Sequence, residues 1–203
     1  MPSRECEWFI TQMTAAPRKL STADERRGTV VRTAIDAFAA RGYYGTTTTE
    51  VARHAGISQA YLYRLFPDKE ALFVSVVNHC ADRILQCMAD AAAEVRSGDP
   101  EAVLFAMGDA YARLIAERNL FMVLMQAKCA ASEPAIGEAI RACYAEAVEY
   151  VREVSGASEG QIQMYFVRGF WCDAVTAMGV DQVDAPWART LAHGLLHYAP
   201  ESG

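Results

Sequence analysis

The chain has 203 residues, of which 52% are hydrophobic and 22% are charged, and its formal net charge is −6. This composition can build an apolar core, which excludes a fibrous or intrinsically disordered protein. Apolar runs such as Leu120–Met125 are far shorter than the roughly 20 residues that a membrane span needs, so we expect a soluble protein without a membrane partner.

The charge is distributed unevenly along the chain. Residues 17–70 contain nine Lys and Arg against six Asp and Glu, whereas residues 71–203 contain nine against seventeen. Binding to nucleic acid phosphates depends on Lys and Arg, so a basic N-terminal part on an acidic body remains compatible with DNA binding despite the negative total.

Residues 1–17 show no hydrophobic periodicity and are predicted to form a flexible N-terminal extension. Their acidic start does not fit a secretory signal, so we expect a cytoplasmic protein. The six cysteines are scattered and contain no Cys-x-x-Cys pair. The spacing therefore predicts reduced thiols rather than a disulfide framework or a zinc site, and no cofactor is expected.

The first periodic segment follows Ser21. Its apolar residues recur at helical spacing on one face: Val30, Val31, Ala34, Ile35, Phe38 and Ala39. They predict a first helix that ends near Gly42. The next segment begins with four threonines, which are β-branched, but Thr47 with Glu50 three residues later is typical of a helix start.

Residues 48–65 read T-T-E-V-A-R-H-A-G-I-S-Q-A-Y-L-Y-R-L. Small or apolar residues fall at the spacing of a helix-turn-helix: Val51, Ala52, Ala55, Ile57, Leu62 and Leu65. Ala52 is small where two helices would cross, and Gly56 suits the positive φ of a tight turn. We expect Leu65 to pack inward rather than to contact a base.

The outward residues of this unit suit DNA recognition. Ser58 lies at the start of the second helix, which is predicted to enter the major groove. Base contacts are expected from Gln59, Ala60, Tyr61 and Arg64. Phosphate contacts are expected from Thr47, Thr48, Tyr63 and Lys69. These assignments predict a double-stranded DNA operator as partner.

Residues 45–73, from Gly-Thr-Thr-Thr-Thr-Glu-Val to Lys-Glu-Ala-Leu-Phe, resemble the DNA-binding signature of the TetR family. The resemblance implies an all-α protein with a three-helix helix-turn-helix head, a linking fourth helix, and a helical-bundle body for ligand binding and dimerisation. It also implies a homodimer and a ligand that moves the fourth helix. We accordingly predict a DNA-binding domain at 18–67 and a ligand-binding and dimerisation domain at 68–203.

Beyond residue 67 the pattern is a series of amphipathic helices. Predicted breaks fall at 98–100, 132–134, 155–158 and 184–186, where Gly, Ser, Asp and Pro cluster. The last two helices are predicted at 159–178 and 186–198. Their apolar residues predict a homodimer interface: Tyr165, Phe166, Phe170, Trp171, Leu191, Leu195 and Leu196. Two heads on one dimer would require an inverted-repeat operator.

The body is rich in aromatic and Met residues, which would suit a small hydrophobic or aromatic effector. Candidate ligand-binding residues are Phe105, Tyr111, Phe121, Met122, Met125, Tyr144, Phe166, Phe170 and Trp171. Taken singly, each of them is explained more readily by packing in the core of a helical bundle than by contact with a ligand. The function predicted is a ligand-responsive transcriptional repressor.

Three other functions compete with this one, and one of them is a DNA-binding module without any ligand. An enzyme is disfavoured because the sequence has no dinucleotide, phosphate-loop, serine-hydrolase or His-Glu-x-x-His motif. A metal- or redox-sensing regulator on the same scaffold is the alternative. It would use Cys80 and Cys87, two helical turns apart, with His79, or the i,i+4 pair His193 and His197.

Overall fold

A computed structural model describes residues 22–115 and 117–195, and all regular structure in these ranges is helical. The predicted extension at 1–17 lies outside them. The helices are α1 Thr22–Gly45, α2 Thr48–His54, α3 Gln59–Leu65, α4 Lys69–Glu94, α5 Pro100–Leu114, α6 Arg118–Cys129, α7 Pro134–Ser155, α8 Glu159–Ala177 and α9 Pro186–Ala192, with a 3₁₀ turn at Val180–Gln182. Within the described ranges, no helix combines the length and apolarity of a membrane span.

Local capping signals set most helix starts. The Asp68 side chain accepts a hydrogen bond from the backbone N–H of Ala71 at 2.7 Å and begins α4. Asp99 caps α5, in which Pro100 takes the first position. Ser158 begins α8 with a complete capping box. These side chains satisfy amide groups that have no partner inside the helix. The predicted breaks at 98–100 and 155–158 are confirmed.

The predicted breaks do not include the one between α5 and α6, which contains neither Gly nor Pro. Here tertiary contacts define the turn. Ile115 is buried beside Phe121 and Cys172, and the Arg118 guanidinium donates to the carbonyl oxygens of Thr176 and Ala177 at 2.8 and 3.1 Å. Long-range packing of this kind leaves no local mark in the sequence.

The last helix is shorter than predicted. It ends at Ala192 rather than near residue 198, because His193 is extended and Gly194 has a φ of 77°. Leu196 and His197, which were assigned to this helix, lie outside the described residues.

The largest apolar cluster joins the first helices to the bundle. Phe38 of α1 and Phe73 of α4 are fully buried, with ring centroids 4.7 Å apart. The cluster continues through residues of α6 and α7: Leu120, Val123, Ala127, Ala130, Ile136 and Ile140. The boundary at residue 67/68 stays a prediction, and this core crosses it.

Polar contacts reinforce the same interface. The Asn119 amide donates to the Asp36 carboxylate at 2.9 Å, and the Tyr44 hydroxyl donates to the Glu133 carboxylate at 2.8 Å. Residues 22–45 are therefore held by α6 as well as by α4.

Gly42 interrupts the helical path of α1. It is buried, with φ 66° and ψ −175°, a conformation that is essentially restricted to glycine. A Cβ atom at this position would also lie 2.4 Å from Gln126 Oε1. The first continuous helical stretch of α1 therefore ends at Gly42, as predicted, although α1 as a whole extends to Gly45.

We predict that Gly42→Ala lowers the free energy of unfolding by about 1–3 kcal/mol, because alanine must adopt this strained conformation. Urea unfolding followed by circular dichroism measures the change. Gly98→Ala is the control, since a Cβ there meets nothing within 4 Å. Equal stability of the two variants would contradict the assignment of strain to Gly42.

Candidate DNA-binding surface and ligand cavity

The segment 48–65 forms the predicted helix-turn-helix. Val51, Ala52 and Leu62 are buried between the two helices, and Gly56 has a φ of 64°. The backbone N–H of Ile57 donates to the carbonyl oxygen of Ala52 at 3.0 Å, which closes the turn. The packing residues and the positive φ predicted for this unit are therefore confirmed.

Threonine and serine begin the two helices of this unit. The Thr47 side chain accepts from the Glu50 N–H, and the Ser58 side chain accepts from the Tyr61 N–H, both at 3.2 Å. The Glu50 carboxylate does not complete the capping box predicted with Thr47; it pairs with Arg41 at 2.9 Å. Thr47 and Ser58 thus orient α2 and α3, and their hydroxyls stay exposed at the helix starts.

Three residues predicted to contact DNA bind one another. The Gln59 amide donates to Thr48 Oγ1 at 3.1 Å, and the Tyr63 hydroxyl lies 3.1 Å from the same oxygen. The contacts tie the start of α2 to α3. They hold the exposed side chains of Gln59 and Tyr63 in a defined arrangement before any DNA is present.

The other residues of α3 that were predicted to contact bases differ in their exposure. Ala60 and Arg64 are exposed, and the Arg64 guanidinium lies 5.7 Å from the centroid of the Tyr61 ring. Tyr61 is half-buried. Leu65 is 7% exposed, so its predicted packing role is confirmed. Contacts of these residues with bases stay a prediction.

Lys69 has structural partners. Its ammonium donates to the carbonyl oxygens of Tyr43 and Thr46 at 2.9 and 3.4 Å and lies 4.4 Å from the centroid of the Tyr43 ring. An ammonium has three donors, so one N–H is left for the predicted phosphate contact. Lys69 also joins the start of α4 to the loop between α1 and α2.

Arg26 was not singled out by its sequence pattern. It is exposed and borders a shallow recess with Ile57, Ser58 and Tyr61, at the start of α3. Neighbouring Arg27 is also exposed but is engaged within the head, because its guanidinium donates to the Leu65 carbonyl oxygen and lies over the Phe66 ring. The sequence alone does not distinguish these two adjacent arginines, but their contacts in the fold do.

A cavity of about 670 Å³ lies in the body, between α4, α5, α7 and α8. Its walls are mostly apolar and include Ile84, Leu85, Leu104, Ala112, Ile140 and Tyr165. Exposed Phe105 and Met164 also line it, so the cavity opens to the surface on that side. Its volume falls within the range of small-molecule sites.

Five of the nine predicted ligand-binding residues line this cavity: Phe105, Tyr111, Tyr144, Phe166 and Phe170. The rings of Tyr144 and Phe170 meet edge to face with centroids 5.3 Å apart. The structure therefore brings these residues together, and ligand binding by them stays a prediction.

The other four do not border the cavity. Phe121 is 2% exposed and packs in a separate cluster with partly buried Met122 and Met125. The Trp171 indole N–H donates to the carbonyl oxygen of Leu191 at 2.8 Å, and its ring is 42% exposed. These four residues follow the same helical spacing as the lining residues. They lie on faces of α6 and α8 that do not border the cavity.

One buried carboxylate lines the cavity. Asp173 is 4% exposed, accepts a hydrogen bond from the Tyr111 hydroxyl, and lies 3.5 Å from Lys128 Nζ. Burial raises the pKa of Asp173, while the Tyr111 hydrogen bond and the Lys128 charge act in the opposite direction. Burial, and then the charge of Asp173, raises the pKa of Tyr111, which keeps that hydroxyl protonated.

Of the residues named for a metal or redox site, His197 lies outside the described part of the chain, and Cys80 and Cys87 have other surroundings. Cys80 is fully buried, and burial raises the pKa of its thiol to about 12, which suppresses the reactive thiolate. The Cys87 thiol donates to the Ala110 carbonyl oxygen at 3.5 Å. In the described part of the chain, no three His, Cys, Asp or Glu residues are placed to hold a metal ion.

An apolar strip lies exposed on α8. Met164, Val167, Trp171 and Met178 recur at helical spacing, and Trp187 of α9 is also exposed, so that all five are between 42% and 59% accessible. This strip shares Trp171 with the predicted interface, and Phe170 of the predicted interface is also 44% exposed. Tyr165 and Phe166 instead line the cavity, so the predicted face agrees with the exposed one only in part.

The chain is similar to known regulators. Residues 30–76 match the family model described as bacterial regulatory proteins of the tetR family. The HTH-type transcriptional regulator YuxN of Bacillus subtilis (strain 168) is 37% identical over 59 residues, which are 29% of this chain and 20% of that protein. Matched segments span between 20% and 28% of the lengths of such curated relatives.

Two solved structures share the fold over most of the chain. One is the transcriptional regulator FadR from Bacillus subtilis in complex with stearoyl-CoA, with a TM-score of 0.64, 17% identity, and coverage of 85% of this chain and 99% of that one. The other is a TetR-like transcriptional regulator from Rhodococcus sp. RHA1, with a TM-score of 0.62, 21% identity, and coverage of 88% and 96%. Residues 30–76, which contain the helix-turn-helix, therefore match a tetR-family DNA-binding segment, and the chain shares the fold of TetR-like regulators over most of its length.

Proposed function

We propose that this regulator represses transcription as a homodimer on an inverted-repeat operator and is released when a small apolar or aromatic molecule enters the cavity. One observation carries the proposal. The single helix α4 begins at Lys69, against the head, and its residues Ile84, Leu85 and Met88 line the cavity. A ligand that changes the position of α4 thereby changes the position of the head.

The exposed face of α3 supports DNA recognition. Gln59 and Arg64 have side chains suited to adenine and guanine, and Ala60 leaves room for close approach to the groove. Thr47, Ser58 and the free donor of Lys69 lie where helix starts and a charge can meet phosphates. We add Arg26 to the phosphate contacts, because it is exposed beside Ser58 and forms no ion pair with a described residue.

The size and lining of the cavity support an effector. A volume of about 670 Å³ accommodates a drug-sized molecule, and aromatic side chains form much of the wall. The neighbour in fold from Bacillus subtilis was solved with stearoyl-CoA, a ligand with a long apolar chain. Release of DNA requires that the effector bind the DNA-incompetent form more tightly than the DNA-bound form.

The strip on α8 supports a dimer. Exposed apolar residues on one helix face are typical of interfaces, and the face continues onto Trp187 of α9. A dimer would place two copies of α3 roughly 34–36 Å apart, one turn of DNA.

The operator contacts are tested with DNA selected from random duplexes by the purified full-length chain, which we expect to yield an inverted repeat. Arg64→Ala should weaken binding by about 1–3 kcal/mol and lose discrimination at one base pair in each half-site. Arg26→Ala should weaken all sequences alike and lower the dependence on salt. Fluorescence anisotropy at several salt concentrations measures both.

Arg26 is a better comparison than Lys69, because Lys69→Ala also removes contacts between α1 and α4. If the arginine variants give the same base preferences and the same salt slope, the division into base and phosphate contacts is wrong. Failure to select any sequence would overturn the regulator function itself.

The dimer is tested by placing a charge in the strip. Val167→Arg should shift the molar mass measured by light scattering from twice 22.3 kDa to that of the monomer, because an unpaired charge in an apolar interface is costly. Val154→Arg is the control, since Val154 is similarly exposed but lies on α7. A dimeric Val167→Arg protein would show that α8 does not form the interface.

A further inference from the structure

The charged residues that line the cavity are mostly acidic. Asp82, Glu101, Glu146 and Asp173 oppose a single basic residue, Arg168. Glu146 and Asp82 form no ion pair with described residues, and Asp173 is the one buried among them. The potential inside such a cavity attracts cations and repels anions, and the apolar walls reduce screening by water.

A positive charge already lies beside three of the residues that line the cavity. The Lys128 ammonium lies 3.5 Å from Asp173 Oδ2, 4.9 Å from the Phe170 ring centroid and 5.4 Å from that of Tyr144. A carboxylate beside aromatic faces is an arrangement that binds ammonium groups. Asp173, Phe170 and Tyr144 all line the cavity, so the same groups are accessible to a ligand.

Lys128 holds this position weakly. Its distance to Asp173 exceeds the 2.7–2.9 Å of a strong charge-assisted hydrogen bond, and its side chain is 29% exposed. The flexible chain allows the ammonium to turn to solvent when a ligand cation takes over its contacts. A ligand cation that replaces it would satisfy Asp173 and bury its own apolar part in the cavity.

We propose that the effector is an organic cation, with an aromatic or apolar body and one amine or quaternary ammonium group, and that this group displaces Lys128 from Asp173, Tyr144 and Phe170. The inference rests on the proposed function, which requires a ligand in this cavity, and it adds the chemical class of that ligand. The rings of Tyr144, Phe166 and Phe170, whose centroids lie between 5.3 and 6.5 Å apart, would enclose the aromatic body.

Three probes with one ring system and different charges test the inference: (1-naphthylmethyl)trimethylammonium, 1-naphthalenemethanol and 1-naphthaleneacetate. Calorimetric titration into the full-length chain should give an affinity for the ammonium at least about tenfold higher than for the alcohol, because a charged group here gains a buried carboxylate and two rings. The acetate should bind most weakly.

Two variants assign the effect to named residues. Asp173→Asn is nearly isosteric and should lower the ammonium affinity at least about tenfold while leaving that of the alcohol within about twofold. Glu146→Gln should lower the ammonium affinity by a smaller factor. Glu138→Gln makes the same change on α7 away from the cavity and should have no effect.

The outcomes separate this inference from the proposed function. Tighter binding of the acetate, or equal losses for all three probes in Asp173→Asn, would overturn the cation selectivity and leave a ligand-binding cavity. If none of the probes binds, the cation selectivity is also overturned. The regulator function is then tested separately, by the measurement of operator binding. Unchanged affinity in both Asp173→Asn and Glu146→Gln would show that the acidic lining plays no part.

Discussion

The packing of Phe38 against Phe73 connects the head to the body, and the position of the head relative to the cavity helices depends on it. Both rings are fully buried, with centroids 4.7 Å apart, and they join the first helix of the head to the helix that reaches the cavity. Apolar residues of α6 and α7 complete the same cluster. Because packed cores deform little, the head cannot move independently of the helices around it.

This constraint places α4 between the head and the cavity. Its first residue, Lys69, binds the carbonyl oxygens of Tyr43, in the last turn of α1, and of Thr46, just after α1, and its later residues line the cavity. The second connection runs through α6, where Lys128 meets Asp173 in the cavity wall and Asn119 binds Asp36 of α1. An effector that displaces Lys128 would therefore act on both connections. Energetic coupling of this kind would be reciprocal, so the proposed effector and DNA would affect each other's binding equally.

Local signals made the head predictable. The positive φ of the turn is fixed by Gly56, and the starts of α3 and α4 are capped by Ser58 and Asp68. The sequence around these residues therefore predicts the helix-turn-helix and the start of α4. The body depends on contacts between distant residues, so less of it could be predicted. The apolar residues around Phe121 and those around Phe166 recur with the same helical period. Phe121 nevertheless packs in the core, whereas Phe166 lines the cavity. The pairing of Lys128 with Asp173 joins residues 45 positions apart, and neither residue has a local pattern that indicates it.

The central claim, that the head and the cavity are mechanically coupled, is tested most directly by hydrogen exchange with and without bound operator DNA. Peptides covering residues 81–88 of α4 and residues 161–173 of α8 report on the cavity, and peptides covering α2 and α3 report on the DNA-binding surface. The coupled fold predicts that operator DNA changes exchange in both groups. Changes confined to the peptides of the head, with the cavity helices unaffected, would contradict it.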